Sequence, residues 1–322
     1  DYEIKSTVDQ AEHEYHLNIK EEEKQNSKIL NYMTGGVLLL VAGFLFFVFN
    51  RLKLTRKQRN EIQQQKEHIE EVHGEIQDSI VYAKRIQTAI LPPDSLFRSI
   101  LPNSFVLYLP KDVVAGDFYW LHETGNTKFF AAADCTGHGV PGAMVSVVCN
   151  SALNRSVKEF GCVEPHDILE KVREIVLEEF SKSEEQVKDG MDIAFCAFNQ
   201  KTKRLFFSGA NNPLYLVRNG GLTEFKGSKQ PVGNFENSEA FKQEEIEVVQ
   251  GDRIYLFTDG FADQFGGDKG KKYKYRPFKN QILSIQHLPI EEHKVKLKVE
   301  FENWKGDLEQ IDDVCIIGVR IG

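Results

Sequence analysis

The chain has 322 residues and a formal net charge of −8, long enough for one large or two ordinary domains with a substantial core. The acidic balance argues against a nucleic-acid partner, which requires a basic footprint. Five cysteines, Cys135, Cys149, Cys162, Cys196 and Cys315, are scattered without a Cys-x-x-Cys pair and read as reduced core residues of a cytosolic compartment.

Residues 1–28 are polar and helix-prone, and the first residue is aspartate rather than methionine, so the chain reads as a fragment or a processed product. The run Ile29 to Phe49 follows, and from Gly35 onward it carries no charge. It is about long enough to cross a bilayer as a helix. Its internal position and the lack of a small-residue cleavage pattern distinguish it from a signal peptide; a buried globular helix is the competing reading. Arg51, Lys53, Arg56, Lys57 and Arg59 follow the span, against Lys20, Lys24 and Lys28 before it. The basic excess places the C-terminal portion in the cytoplasm. The expectation is a single-pass inner-membrane protein with its span at 29–50 and residues 1–28 as the extracytoplasmic stub of a sensor region.

Between Arg51 and Ile90 there is no proline and Gly74 is the only glycine, which predicts one long helix. Ile62, Ile69, Ile76, Ala83 and Ile90 recur every seven residues, with Val72 and Ile86 at offset positions. That is a coiled-coil seam. Gln65 and Ser79 interrupt it, and Gly74 costs about 1 kcal/mol relative to alanine, so the seam is marginal, as a switchable element requires. Residues 51–92 are expected to pair in a homodimer and carry a signal; a surface helix packing its stripe on the next domain is the alternative. Pro92 and Pro93 end the helix.

Beyond Pro93, β-rich runs are predicted at 105–109, 128–133, 193–198, 204–208, 214–217, 244–248, 253–257 and 314–319, with helices from Pro141 to Phe160 and from His166 to Ser183. Several runs are separated only by turns, so antiparallel pairing in an α+β layered domain over 93–322 is expected. Four aspartate sites punctuate it: Val114-Ala115-Gly116-Asp117, Ala133-Asp134-Cys135-Thr136-Gly137-His138-Gly139, Thr258-Asp259-Gly260 and Asp312-Asp313. Any one Asp-Gly pair is most simply a turn. Four beside apolar runs suggest carboxylates delivered from strand ends into one cleft, a donor set that suits Mg²⁺ or Mn²⁺ better than zinc.

The order and neighbours of these motifs resemble the PP2C class of metal-dependent serine/threonine protein phosphatases, in the bacterial branch typified by SpoIIE. The likeness rests on Ala-Gly-Asp-Phe-Tyr, Asp-x-x-Gly-His-Gly, Phe-Thr-Asp-Gly and Asp-Asp-Val, with Gly209-Ala210-Asn211-Asn212-Pro213 and Pro231-Val232-Gly233 between them. It implies a β-sandwich flanked by helices and two Mn²⁺ or Mg²⁺ ions that activate a water for attack on phosphoserine or phosphothreonine. It further implies that Asp134 bridges the ions, that Asp259, Asp312 and Asp117 are ligands, and that Cys135 contributes its backbone carbonyl. The substrate it implies is a phosphoprotein, such as an anti-anti-sigma-like protein.

Asp313 is either a ligand or a partner of nearby backbone, and Asp189 and Asp192 either support an additional metal or serve turn and strand-start roles. His138 is a candidate acid for the leaving group, or a histidine packed at a glycine turn. Lys111 is a weak candidate for phosphate contact, since an ammonium binds phosphate as a point charge. Trp120 follows Tyr119 where many relatives carry an aspartate, which puts secondary metal support in doubt; Cys315 replaces a common threonine and affects packing only. The basic turn Gly266 to Lys272 either touches substrate or is solvated. Two other classes compete: a catalytically silent scaffold of the same fold that binds a partner protein, and a metal-dependent nuclease, which the acidic balance disfavours.

Overall fold

A computed structural model describes residues 2–182 and 189–322, with side chains from residue 6 onward. It divides into two units, residues 1–76 and Gln77–Gly322. The first is wholly helical within α1, Tyr2–Ile90. Among the described residues α1 is the one helix long and apolar enough to cross a membrane. Its apolar side chains from Val37 to Phe49, apart from the half-buried Val48, and the heptad residues Ile62, Ile69 and Ile76 are exposed.

The second unit takes in the last turns of α1, followed by α2 (Asp94–Ile100), β1 (Ser104–Leu109), β2 (Phe118–Thr124), β3 (Thr127–Cys135), α3 (Gly139–Lys158) and α4 (Pro165–Ser181). The predicted end of the last helix at Ser183 lies outside the described residues. Next come β4 (Gly190–Asn199), β5 (Arg204–Ala210), β6 (Leu214–Arg218), β7 (Gly221–Phe225), β8 (Val232–Gly233), β9 (Gln243–Glu247) and β10 (Arg253–Phe257). The chain closes with α5 (Gly260–Asp263), the hairpin β11 (Phe265–Gly266) and β12 (Lys271–Lys272), α6 (Tyr275–Ile285), α7 (Ile290–Lys305) and β13 (Val314–Arg320).

One sheet has the order β1-β13-β10-β6-β7 and the other β2-β3-β4-β5-β9, with β8 attached to β4. All their strand pairs are antiparallel. Side-chain alternation sorts each strand into two faces. Phe130 and Ala132 of β3, Cys196 of β4, Leu256 of β10 and Ile317 of β13 fill the space between the sheets. The opposite face of the second sheet, with Phe129, Ala131, Phe195 and Ala197, packs on Cys149, Leu153, Ile168 and Val172 of α3 and α4. The outer face of the first sheet, with Tyr255, Phe257 and Ile316, packs on Phe278, Ile282, Leu297 and Phe301 of α6 and α7. The result is the helix-flanked β-sandwich expected above.

Several elements were not among those read from the sequence, β2, α6 and α7 foremost. β2 begins with the apolar run Phe118-Tyr119-Trp120-Leu121, which lacks alternation because both of its faces are buried. Helices α6 and α7 occupy the stretch after the basic turn Gly266 to Lys272, to which the sequence reading assigned no element. Their apolar positions are diluted by lysine and glutamate, and Val295 and Val299 face solvent.

His293 of α7 is fully buried. Its Nδ1 lies 2.9 Å from the Tyr255 hydroxyl and its Nε2 lies 3.3 Å from the Leu288 carbonyl oxygen. Burial, with the nearby Arg253 charge, pulls its pKa below the ordinary 6.5, opposed by the Leu288 and Ile285 carbonyls and by Glu291. The unfolded chain therefore binds a proton more readily, so stability from this group is complete above pH 6.5 and is lost as pH falls through the lowered folded-state value. Thermal melts at pH 7.5 and 5.5 should show a smaller acid-induced loss in His293→Gln than in the wild type; equal losses would contradict this account.

Candidate metal centre

The strand register explains why four separated motifs meet. Asp134 is the penultimate residue of β3 and pairs across the sheet with Asp192 of β4. Asp117 directly precedes β2, whose first residue Phe118 pairs with Ala133. In the other sheet Asp259 lies just past the end of β10, and Asp312 and Asp313 just before β13, with Phe257 opposite Ile316. Antiparallel pairing thus brings ends and starts of strands to one rim, where both sheets contribute carboxylates.

A cavity of about 260 Å³ opens there, lined by Asp134, Cys135, Thr136, Gly137, His138, Met191, Asp192, Pro231, Asp259 and Asp312. Among the predicted residues, Asp117, Asp313, Asp189 and Lys111 are not in its wall. Asp117 is buried behind the pocket, where its Oδ2 accepts a 2.6 Å hydrogen bond from the Thr258 hydroxyl. Thr258 Oγ1 in turn accepts from the Cys315 amide. Asp313 is also buried, and its carboxylate accepts from the backbone amides of Lys111 and Gly116, each at 2.7 Å. The thiol side of Cys135 belongs to the core under α3, leaving its main chain toward the pocket.

Positive φ at Gly137 and Gly139 turns the chain sharply between β3 and α3. Gly116 and Gly142 both press against the Gly137 carbonyl, which a Cβ at either position would strike. His138 projects at the pocket mouth with its Nδ1 3.0 Å from Asp112 Oδ2, an exposed pair that leaves Nε2 clear. Asn211, at positive φ, donates from Nδ2 to Asp192 at 2.8 Å. Sequence reading missed Thr258, Asp112 and Asn211 as partners. Thr258 and Asn211 lay inside quoted motifs, whereas Asp112 carried no local signal.

Electrostatics follow from the crowding. Burial, then the charges of Asp259, Asp312 and Asp192, push Asp134 up to about 8. Burial, then Asp312, Asp263 and Asp192, push Asp259 up to about 6, with Lys272 working against them. Asp117 is held well above the usual carboxylate range by burial and by Asp134, despite the Thr258 hydrogen bond. Asp192 is raised by burial, opposed by the Asn211 amide. These groups form a coupled acidic set that favours either protons or a cation.

Among the described residues no three His, Cys, Asp or Glu side chains close on one point as a ready-made cage. Mg²⁺ does not need one, because it is typically held by one or two carboxylates and keeps several waters. Carboxylates from both sheets, the backbone beside Cys135 and an open polar cavity fit a hard divalent cation; the lining contains no sulfur–imidazole set of the kind zinc prefers.

This sandwich and rim define the PP2C class of phosphatase domains. Among solved structures, the SiaA-PP2C domain of Pseudomonas aeruginosa is 30% identical over 78% of this chain and 99% of that one, with a TM-score of 0.72. The SpoIIE phosphatase domain of Bacillus subtilis, solved with a fragment of its regulatory domain, is 16% identical over 68% of this chain and 63% of that one (TM-score 0.57). The RsbU and RsbW domains of a Mycobacterium tuberculosis protein are 19% identical over 68% and 60% (TM-score 0.55). No curated protein matches the chain at a significant level. The family described as Stage II sporulation protein E (SpoIIE) matches residues 124–322. The chain belongs to the SpoIIE family, and it is a protein serine/threonine phosphatase of the PP2C class.

Proposed function

We propose that the chain is a membrane-anchored, divalent-metal-dependent phosphatase that hydrolyses phosphoserine and phosphothreonine in a protein substrate under the control of an upstream sensor. One observation carries the catalytic part: Asp134 and Asp192 from one sheet and Asp259 and Asp312 from the other line a single pocket, and the raised pKa values of the first three mark a site short of positive charge.

In this reading Asp134, Asp259, Asp312 and the Cys135 carbonyl hold two Mn²⁺ or Mg²⁺ ions. Asp117, anchored by Thr258, supports Asp134 from behind, and Asp192 is available for an additional ion. When bound, such ions lower the pKa of a coordinated water and neutralise the phosphoryl oxygens. His138, held through Nδ1 by Asp112, presents Nε2 at the pocket mouth to give a proton to the departing serine or threonine oxygen. Asp313 positions the Lys111–Gly116 backbone and is not assigned as a ligand; Lys111 is given no phosphate contact.

The anchor is supported by the exposed apolar stretch of α1 and the basic cluster after it, which orient the catalytic unit toward the cytoplasm. The exposed heptad residues support pairing in a homodimer through residues 51–92. An anti-anti-sigma-like phosphoprotein is the substrate this reading favours, supported by the likeness to a protein that joins RsbU and RsbW domains.

The full chain in detergent should hydrolyse a phosphoserine peptide with Mn²⁺ and stop on chelation. The same Mn²⁺ should raise its melting temperature, since a ligand at 100 times its Kd stabilises by about 2.7 kcal/mol. Turnover that persists in excess chelator would refute the metal assignment.

A further inference from the structure

The segment 263–276, which follows Asp259, carries the basic side chains Lys269, Lys271, Lys272, Lys274 and Arg276 against Asp263 and Asp268. In a chain of net charge −8, next to a pocket walled by carboxylates, this is a local reversal of sign. All five basic residues are exposed. Lys272 is the one that forms an ion pair among the described residues, with Asp263 Oδ2 at 2.8 Å. A run of like charge is ordinarily a solvated turn.

This one is attached differently. The Lys274 amide donates to the Ala262 carbonyl at 2.6 Å, within the one-turn helix α5 that Asp259 begins, and the Tyr273 amide donates to the Gln264 carbonyl at 2.9 Å. Gln264 is fully buried, and its Oε1 accepts from the amide of Ile311, the residue before Asp312, at 3.2 Å. From the other side the Gly267 amide donates to the Trp304 carbonyl at 2.8 Å, and Trp304 Nε1 donates to the Gln264 carbonyl at 3.0 Å. A Cβ at Gly266 would strike the Trp304 carbonyl. The backbone that places Asp259 and Asp312 in the pocket therefore also holds the cations, and the Lys272 charge acts on Asp259.

Lys274 and Tyr275 mark where the two meet. Lys274 stands at φ 73° and ψ 159°, a conformation that glycine adopts freely and lysine rarely. Such an outlier beside a pocket points to a use for its side chain. Tyr275, the first residue of α6, lays its ring against Phe257, two residues before Asp259, with centroids 6.3 Å apart. Partial burial, then the charges of Asp259, Asp263, Asp134 and Asp192, raise its hydroxyl to about 12. Three of the four carboxylates that line the pocket thus act on a residue of the basic segment.

We propose that residues 269–276 form a substrate-docking ledge that selects phosphoprotein segments in which aspartate or glutamate flanks the phosphorylated serine or threonine. The inference rests on the phosphatase reading above and adds a sequence preference to it. A metal centre recognises the phosphoryl group of any substrate; cations fixed beside it attract flanking carboxylates and repel basic segments.

The test uses the full chain in detergent with Mn²⁺ and measures kcat/KM for phosphoserine peptides flanked by glutamate or by glutamine, with p-nitrophenyl phosphate as a substrate that has no flanks. Wild type is compared with Lys271→Glu/Lys274→Glu, with Lys271→Gln/Lys274→Gly, and with Lys201→Glu in the turn at the opposite end of β4 from Asp192. Wild type is expected to favour the glutamate peptide by about five- to tenfold at low salt, the scale of two exposed ion pairs, with the gap closing as salt screens them. Lys271→Glu/Lys274→Glu should reverse the order and Lys201→Glu should keep it, each with p-nitrophenyl phosphate hydrolysis within about twofold of wild type. Lys271→Gln/Lys274→Gly should lose the preference while its melting temperature holds or rises, because glycine relieves the strain at position 274.

Equal rates on the two peptides in wild type, or a preference kept in both double variants, would overturn the inference and leave the phosphatase reading intact. A parallel loss on p-nitrophenyl phosphate would place the lysines in the reaction itself and would also overturn it. A wild-type protein that hydrolyses neither p-nitrophenyl phosphate nor either peptide would overturn both readings. Should Lys271→Glu/Lys274→Glu melt below the assay temperature, Lys271→Gln/Lys274→Gly decides.

Discussion

Asp134→Asn is expected to lower phosphopeptide turnover by roughly 10³-fold or more, a loss of about 4 kcal/mol of transition-state stabilisation, without lowering the melting temperature of the metal-free protein. The two halves of this expectation have one cause. Asp134 stands where the charges of Asp259, Asp312 and Asp192 converge, and its carboxyl is pushed up to about 8. Near neutral pH its ionised form is disfavoured by the fold unless a cation is present. Asparagine preserves the shape, relieves the repulsion and removes the anionic oxygen, so the apo protein gains or holds stability while the cation loses a ligand from the second sheet. The measurements are phosphopeptide hydrolysis in Mn²⁺ and thermal melts in chelator. Retained turnover would refute the assignment of Asp134, and a large drop in apo melting temperature would refute the electrostatic account.

Phe130→Ala should cost about 3–5 kcal/mol, the range for removing a buried phenylalanine, and lower the melting temperature by roughly 6–20 °C for a domain of this size. Phe130 is fully buried between the sheets, opposite Leu121 on β2 and Cys196 on β4. The site lies across the same interface, with Asp134 and Asp192 on one sheet and Asp259 and Asp312 on the other. Loosening the shared core should therefore weaken Mn²⁺ binding near the new melting temperature, with affinity recovering on cooling. Chemical denaturation with and without Mn²⁺ measures both effects; a stability loss below about 1 kcal/mol would show that the site collapses around the missing ring.

Much of the centre was legible in short motifs. Asp134 follows an apolar strand and precedes a glycine turn, and Asp259 follows another, so their place at strand ends could be read from a few residues. Asp312 was legible as half of Asp312-Asp313, and the family resemblance put the ligand on Asp312 while leaving Asp313 open between a ligand and a partner of nearby backbone. Asp313 turns to the amides of Lys111 and Gly116, about 200 residues away in sequence, while Asp312 faces the pocket. Asp117 and Asp192 show the same limit in opposite directions. The first, read as a ligand, lies behind the wall, and the second, read as an optional extra, lines it. Gln87, buried on α1 with its amide hydrogen-bonded to the Ala115 backbone and to Ser146, was invisible for a different reason: on a mostly exposed, charged helix a lone glutamine looks like another solvated residue.

From sequence alone came the residue types of the centre, the strand ends that carry them, the apolar segment and the heptad stripe, because each depends on neighbours within one turn or one strand. Tertiary structure alone decided which carboxylates face the cavity, which are tied to backbone behind it, and which helix residue reaches the loop beneath. Those outcomes depend on the register between strands and the packing of one sheet on the other, where shifting a strand by one residue would send every side chain to the opposite face.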